Sequence, residues 1–507
     1  MNATDYLLEN SARKNEPALL ALSGDYNYAQ VRYAVEQVAQ FLVHAGAGKG
    51  ERILLVGRNS LFWVATYLGS IRAGCTCVPL AVSIEKAELD YIFQSTLPRF
   101  VFADQGLAAR VLPSLPWETK VVLDDVANRI EHRRFYFFSD LLNKPSGLNN
   151  SYPEIDERSD IAALMFTSGS TGRPRGVMVS HRNIIANTAS IIDSLSLNGH
   201  DRVMAILPFY YCFGTSLLHT HLRVGGSLVL DHRFMYPDKV LERMQSTGCT
   251  GFAGVPSHYQ ILLRSSSLKQ MHLPALQWVQ QAGGHLPTTF LTDLREALPR
   301  VRVFVMYGQT EATARLSYLP PELLDAKAGS IGKGISGVSL RVLDEYGKAV
   351  APGQAGEIVA EGENIALGYW GGEDETKSSF REGRLYTGDI ATVDEDGFIY
   401  IVDRAKDFLK CGGTRVSCRR IEEKLLEAPE VVEVAVVGVP DPVLGEAVKA
   451  FVVPRDGAAD LNHRLRRFCA ERLPPAFVPK EIVMVDSLPK NGAGKLLKAQ
   501  LKCNSGQ

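Results

Sequence analysis

The sequence predicts an α/β protein of layered sheets and helices followed by a smaller α+β domain, on three observations. Apolar β-rich runs alternate with helix-period segments of 10–15 residues through the first half of the chain, the pattern of strands covered by helices. From about Ser330 the composition shifts to glycine-rich hairpins, with turns at Asp344–Gly347 and Asp394–Gly397 and alternation at Glu357–Val359 and Phe398–Val402. That predicts a small antiparallel β unit. After Arg404-Ala405-Lys406-Asp407 the alternation restarts for roughly 100 residues, enough for a separate domain.

In order, strands are expected at Arg52–Gly57, Cys75–Leu80, Phe100–Ala103, Lys120–Leu123, Ile161–Phe166 and Val177–Val179. Further strands follow at Arg202–Leu207, Ser227–Asp231, Gly251–Val255, Trp278–Ala282 and Val301–Met306. Each is a short apolar run bounded by turn residues or charge. Helices are expected at Leu61–Arg72, Phe213–Arg223, Pro237–Gln245 and Ser257–Arg264. In the last part the reading is helix Arg420–Leu426, strands Val431–Val437 and Ala447–Val453, helix Leu461–Arg472 and strand Glu481–Val485.

Composition narrows the function classes. At 46% hydrophobic and 22% charged the chain reads as soluble and globular. A formal net charge of −1 gives no basic field for nucleic acid or an anionic membrane, so anions must be bound by local loops. No apolar stretch approaches the ~20 residues of a membrane span, and the N-terminus lacks the pattern of a signal peptide. The eight cysteines lack zinc-ligand spacing and have no accompanying histidine cluster. Reduced thiols in a cytoplasmic protein are expected.

The most informative stretch is Leu164–His181. An apolar run stops at Thr167-Ser168-Gly169-Ser170-Thr171-Gly172, two arginines follow (Arg173 and Arg175), and a second apolar run begins at Val177. Glycines let backbone N–H groups turn toward an anion, hydroxyls add donors, and the arginines add charge. A Ser/Thr/Gly cluster by itself reads as a flexible linker, but strands on both sides favour a phosphate cradle. It lacks the Gly-x4-Gly-Lys-Ser/Thr order of a Walker loop. Gly332-Lys333-Gly334-Ile335-Ser336-Gly337 fits the dinucleotide fingerprint, but a strand rather than a helix is expected after it, so it reads as a turn.

The 164–181 stretch closely resembles the phosphate-binding signature of the adenylate-forming superfamily: acyl-CoA synthetases, adenylation domains of peptide synthetases and luciferases. Arg175 stands where a lysine is usual. Five further segments resemble the family in the same order. They are Met306-Tyr307-Gly308-Gln309-Thr310-Glu311, Leu385–Ile390, Ile401–Asp407, Lys410–Val416 and Leu488–Lys495, and Gly283-Gly284-His285 resembles the turn beside the adenine.

The resemblance implies a large N-terminal domain (1–405) whose β unit is barrel-like and a mobile C-terminal domain (406–507). It also implies ATP and Mg²⁺ as cofactors. Lys495, Thr310 and Glu311 would be catalytic, with Glu311 on the metal. Thr167–Gly172, Arg175, Gly283, Gly284, Tyr307, Gly308, Asp389 and Arg404 would bind nucleotide. Lys406 would be the hinge, and Lys410, Gly413 and Arg415 would form the loop that admits a pantetheine thiol from CoA or a carrier protein. Asp403 replaces a commoner glycine, and Asn491 stands where threonine is usual.

The acyl wall would be Phe209, Tyr210, Tyr211 and Met306, with Tyr211 in place of a frequent histidine. Clustered aromatics suit an apolar or aromatic acid, and core packing explains some of them equally well. Positions 209–214 hold no acidic residue to pair with a substrate ammonium, which favours an acid without an α-amine. The expected reaction is acyl-AMP formation followed by transfer to a thiol. The rivals are an amino-acid adenylating enzyme that loads a carrier protein, a luciferase-like oxygenase, and a non-catalytic nucleotide-binding protein.

Overall fold

The computed structural model describes residues 1–507 apart from 10–12, 105, 108–110, 112, 114, 117, 125–133, 144–150, 168–173, 405–407, 412, 456–459, 493 and 504–507. A seven-stranded sheet runs in the order 135–137, 120–123, 100–103, 52–56, 76–80, 161–167, 175–180. Its neighbours are parallel except the last pair, Ile161–Thr167 against Arg175–Ser180. A nine-stranded sheet runs 333–334, 317–319, 302–307, 278–281, 251–254, 202–205, 227–230, 17–21, 24–27, parallel in its centre and antiparallel at both edges.

Strands such as Arg52–Val56 and Ser227–Leu230 are buried almost throughout because helices cover both faces of a parallel sheet. Helices Tyr28–His44, Leu61–Arg72, His181–Leu195 and Cys212–Val224 fill the space between the two sheets, packing on strands of each. The first and third of these were absent from the sequence reading. Both open on a capping box, Asn27 with Gln30 and Ser180 with Asn183, a signal that was there to be used. Gly69 permits the close approach of the first two helices, since an added Cβ would stand 2.8 Å from the Val35 carbonyl oxygen.

The antiparallel unit forms as expected from Val338–Leu343, Ala355–Gly362, Phe380–Arg381, Arg384–Val393 and Ile399–Arg404. The Asp344 carbonyl accepts from Gly347 at 3.0 Å, closing the first expected turn. Register shifts at Glu357/Val359 and Ile390/Ala391 bend this sheet. Gly332, expected in a turn, instead bridges Ile399 ahead of the short strand Lys333–Gly334, at φ +81, where a Cβ would be 1.8 Å from the Tyr318 carbonyl oxygen. A strand, Val338–Leu343, follows it, so the dinucleotide match is coincidental.

The last unit is a sheet of Thr414–Ser417, Phe408–Cys411, Gly445–Pro454 and Val431–Asp441, with Glu481–Met484 beside Gly445–Pro454. Its two central strands run longer than the sequence suggested because they form one hairpin paired as far as Asp441 and Gly445. Among the described residues, no helix is long and apolar enough to cross a membrane.

Burial holds His181, His219 and His221 neutral, with pKa values brought down to about 4, 3 and 4. The unfolded chain therefore takes up protons first, near pH 6.5. Stability from these groups is complete above that pH and falls as the pH drops toward about 4. Urea unfolding at pH 5.5 should give a stability lower than at pH 7.5 by roughly 1 kcal/mol per imidazole. An unchanged or higher stability at pH 5.5 would contradict it.

Candidate active site

The strand–loop–strand predicted around residue 170 is built as Ile161–Thr167 and Arg175–Ser180, with Thr167 opposite Arg175. The expected phosphate-loop residues Ser168, Gly169, Ser170, Thr171 and Gly172 lie outside the described residues. The Arg175 guanidinium stands 5.5 Å from the centre of the Tyr369 ring. The Tyr369 hydroxyl donates to Glu311 Oε1 at 2.9 Å. Tyr369 thus joins the loop mouth to Glu311. No pattern in the sequence marked it. Burial, and then the Glu311 charge, push its phenol above the ordinary range, so it remains a donor.

The Arg302–Tyr307 strand ends at Gly308, where an added Cβ would be 1.8 Å from the Ala314 carbonyl oxygen. Only glycine lets the chain fold back so tightly, through the 3-10 turn Thr310–Ala312. Thr310 is buried, and its hydroxyl donates to Cys212 Sγ at 3.4 Å. Tyr307 donates its hydroxyl to Asp389 Oδ2 at 2.6 Å. The bulge at Ile390 helps to aim Asp389, whose backbone pairs with Arg404. Residues 82 positions apart, predicted separately, are therefore in direct contact. The Arg404 side chain and the expected hinge, Lys406, lie outside the described residues. Gly283 adopts φ +84 beside Val255 and the Tyr211 hydroxyl, and Gly284 is exposed.

The C-terminal unit docks on this surface. A turn closed by Asn491 N–H donating to the Lys495 carbonyl (2.9 Å) carries Lys495. The Lys495 N–H donates in turn to Asn491 Oδ1 at 2.9 Å. The asparagine that departs from the usual threonine thus serves as the cap of this turn. Ser257 donates its hydroxyl to the Gly494 carbonyl at 2.8 Å. Burial pushes the Cys212 thiol up to about 11, with the Glu311 charge raising it and the Lys495 charge lowering it. His258, brought down to about 3 by burial and then by the Lys490 charge, meets the turn as a neutral ring.

A second seam holds the unit in place. Arg419 Nη2 donates to His285 Nδ1 at 2.7 Å, and His285 Nε2–H donates to Glu423 Oε1 at 2.7 Å. The His285 expected beside an adenine is instead a neutral link between the two units, its pKa lowered by burial. Gly494 has φ +80, and an added Cβ would lie 2.7 Å from His258 Nε2. Gly494→Ala should therefore undock the turn. Limited proteolysis within 486–500 should accelerate at least several-fold, with the thermal midpoint of the remainder unchanged; equal proteolysis rates would refute the docking.

Phe209, expected in the acyl wall, is fully buried, 5.3 Å from the Trp63 ring, and its carbonyl accepts from Thr215. The thiol loop, expected to enter the site once the small domain swings, is exposed in this pose: Lys410 and Gly413 lie in the hairpin 408–417, and among the described residues nothing is within 4 Å of a Gly413 Cβ. The Arg415 side chain is outside the described residues. Tyr210 faces the docked turn, where a Cβ on Gly492 would be 2.2 Å from its hydroxyl oxygen. Met306 is buried on the sheet face that carries Gln280. Among the described residues, no group of three or more His, Cys, Asp or Glu could hold a metal ion.

The comparisons agree with this geometry. The family model described as AMP-binding enzyme matches residues 8–370, and that of the AMP-binding enzyme C-terminal domain matches 420–495. The chain is 31% identical over 485 residues to a feruloyl-CoA synthase from Amycolatopsis sp, covering 94% of each protein. It superposes on an anthranilate CoA ligase in complex with anthranoyl-AMP with a TM-score of 0.89 and 27% identity, over 100% of this chain and 97% of that one. With o-succinylbenzoate CoA synthetase from Bacillus subtilis, in complex with its acyl-adenylate intermediate, the TM-score is 0.82 and the identity 25%, over 99% and 98%. A nucleotide-type loop sequence, a lysine turn docked on Ser257, and two matched domain models lead to one conclusion: the chain belongs to the AMP-binding enzyme family and is an AMP-forming acid–thiol ligase.

Proposed function

We propose that this enzyme activates a carboxylic acid lacking an α-amine, an aryl acid ahead of a fatty acid, and transfers the acyl group to CoA in the cytoplasm. The observation that supports this reading is the docking of the Asn491–Lys495 turn, whose Gly494 carbonyl accepts from Ser257, on the domain that carries Thr310 and Glu311. The carboxylate oxygen attacks the α-phosphorus of ATP, pyrophosphate leaves, and acyl-AMP forms. The ammonium of Lys495 offsets the repulsion between two anions that must meet. Thr310 faces the α-phosphate, Thr167 and Arg175 hold the outer phosphates, and Tyr307 with Asp389 receives the adenosine.

A thiol then attacks the acyl carbonyl and AMP departs. A carboxylate and phosphate oxygens suit a small hard cation, so Glu311, fixed by Tyr369, fits Mg²⁺ held jointly with ATP. The Mg²⁺ would neutralise phosphate charge. CoA is favoured over a carrier protein because the relatives reported above are named for CoA. An aryl acid is favoured by the names of two of them. The test is pyrophosphate release with ATP and Mg²⁺ over panels of aryl, fatty and amino acids, each with CoA or with a phosphopantetheinylated carrier protein. Turnover with an aryl acid and CoA is expected; release with amino acids alone would reverse the reading.

A further inference from the structure

The buried guanidinium of Arg315 has no part in the chemistry above. Arg315 is 3% exposed, directly after the Thr310–Ala314 fold-back. Its Nη2 donates to Gln280 Oε1 at 3.0 Å. Its Cζ lies 6.0 Å from the centre of the Phe213 ring, one residue from Cys212. Nη1 has no hydrogen-bond partner among the described residues, and neither does Nε2 of Gln280, itself 1% exposed. Because Gln280 Oε1 is already engaged, the pair presents two N–H donors and a positive charge, with no acceptor.

Burial draws the guanidinium down to about 9, with no neighbouring charge among the described residues to restore it. Most buried polar groups in folded proteins are satisfied, and an unpaired buried charge is costlier still. The location matters equally. Gln280 shares a sheet face with Phe304 and Met306, on the side where Phe213 meets Arg315. The unsatisfied donors thus sit on the sheet face of Met306, beside Phe213, and Arg315 is a few residues along the chain from Thr310 and Glu311.

We propose that Arg315 and Gln280 form the receptor for a second carboxylate, so that the acid this enzyme activates is a dicarboxylic acid. The inference rests on the adenylation reading and narrows its substrate class. One carboxylate would face Lys495 and react; the other would accept from Arg315 Nη1 and Gln280 Nε2. A carboxylate fits because it accepts only, from both donors at once, and cancels the charge. An ammonium in the same place would be repelled, and an apolar tail would leave the guanidinium unpaired. Sites built to hydrogen-bond a substrate group reject analogues lacking it by large factors.

The experiment compares matched acids in pyrophosphate release: hexanoate with adipate, benzoate with phthalate and terephthalate, and cinnamate with 4-carboxycinnamate. The wild type should favour the better diacid over its monoacid partner by about 10²-fold or more in kcat/KM. Arg315→Met should bring that ratio to one or below, while KM for ATP stays unchanged. Arg315→Lys and Gln280→Leu should each give a smaller loss of the ratio. They keep the test decisive should the methionine variant fail to fold. A wild type that activates monoacids as well as diacids, or variants that retain the wild-type ratio, would overturn this inference and leave adenylation standing. Absence of pyrophosphate release with every acid would overturn both.

Discussion

Replacing Lys495 by alanine is expected to lower acid-dependent ATP–pyrophosphate exchange by ~10²–10³, while thioester formation from synthetic acyl-AMP and CoA stays within a few-fold of wild type. The physical grounds are local. The lysine backbone, not its side chain, closes the turn through Asn491, so the turn should survive the substitution. Lys495 is exposed, so the folded state loses little packing. What disappears is one positive charge on the docked turn. Two half-reactions measured on one variant separate this role from general damage. Near-normal exchange would remove Lys495 from the chemistry, and an equal loss in both half-reactions would point to misfolding.

Gly413→Leu should give the opposite pattern: exchange near wild type and thioester formation lower by at least ~10². In the pose with Lys495 docked, a Cβ at 413 meets nothing within 4 Å among the described residues and position 413 is exposed, so the first half-reaction has no reason to change. The resemblance implies that this hairpin enters the site for the second half-reaction, where a leucine would block the thiol. Gly413 adopts φ +78, so any L-residue adds strain of ~1–2 kcal/mol. Gly413→Asn supplies the control, because asparagine tolerates that conformation and is smaller. If Asn and Leu slow the thioester step equally, backbone strain is the cause and not obstruction.

Legibility differed from segment to segment. Strands such as Phe100–Ala103 and Lys120–Leu123 matched their predicted bounds because parallel strands covered on both faces must be continuous apolar runs. The Tyr28–His44 helix is harder to read because polar residues dilute its apolar face, leaving the capping box at Asn27 and Gln30 as its clearest local mark. At the site, Thr310, Glu311, Tyr307 and Asp389 were legible as motif positions, whereas Tyr369 was not, since its role exists only through contact with Glu311 and Arg175. Phe209 shows the limit of a local pattern: one of four clustered aromatics suggests a wall, and only the packing reveals that it is fully buried against Trp63.

By itself the sequence determined the layered α/β class, the glycine turns and the order of the nucleotide-site motifs. These depend on local propensity, periodicity and backbone freedom, which are written residue by residue. Only the tertiary structure decided that the Asn491–Lys495 turn rests on Ser257 and His258, that His285 joins the two units, and that Arg315 is buried against Gln280 with no carboxylate partner among the described residues. Such contacts link residues tens to hundreds of positions apart. Their energies come from desolvation and charge compensation, which depend on what surrounds a group in space rather than on its neighbours in the chain.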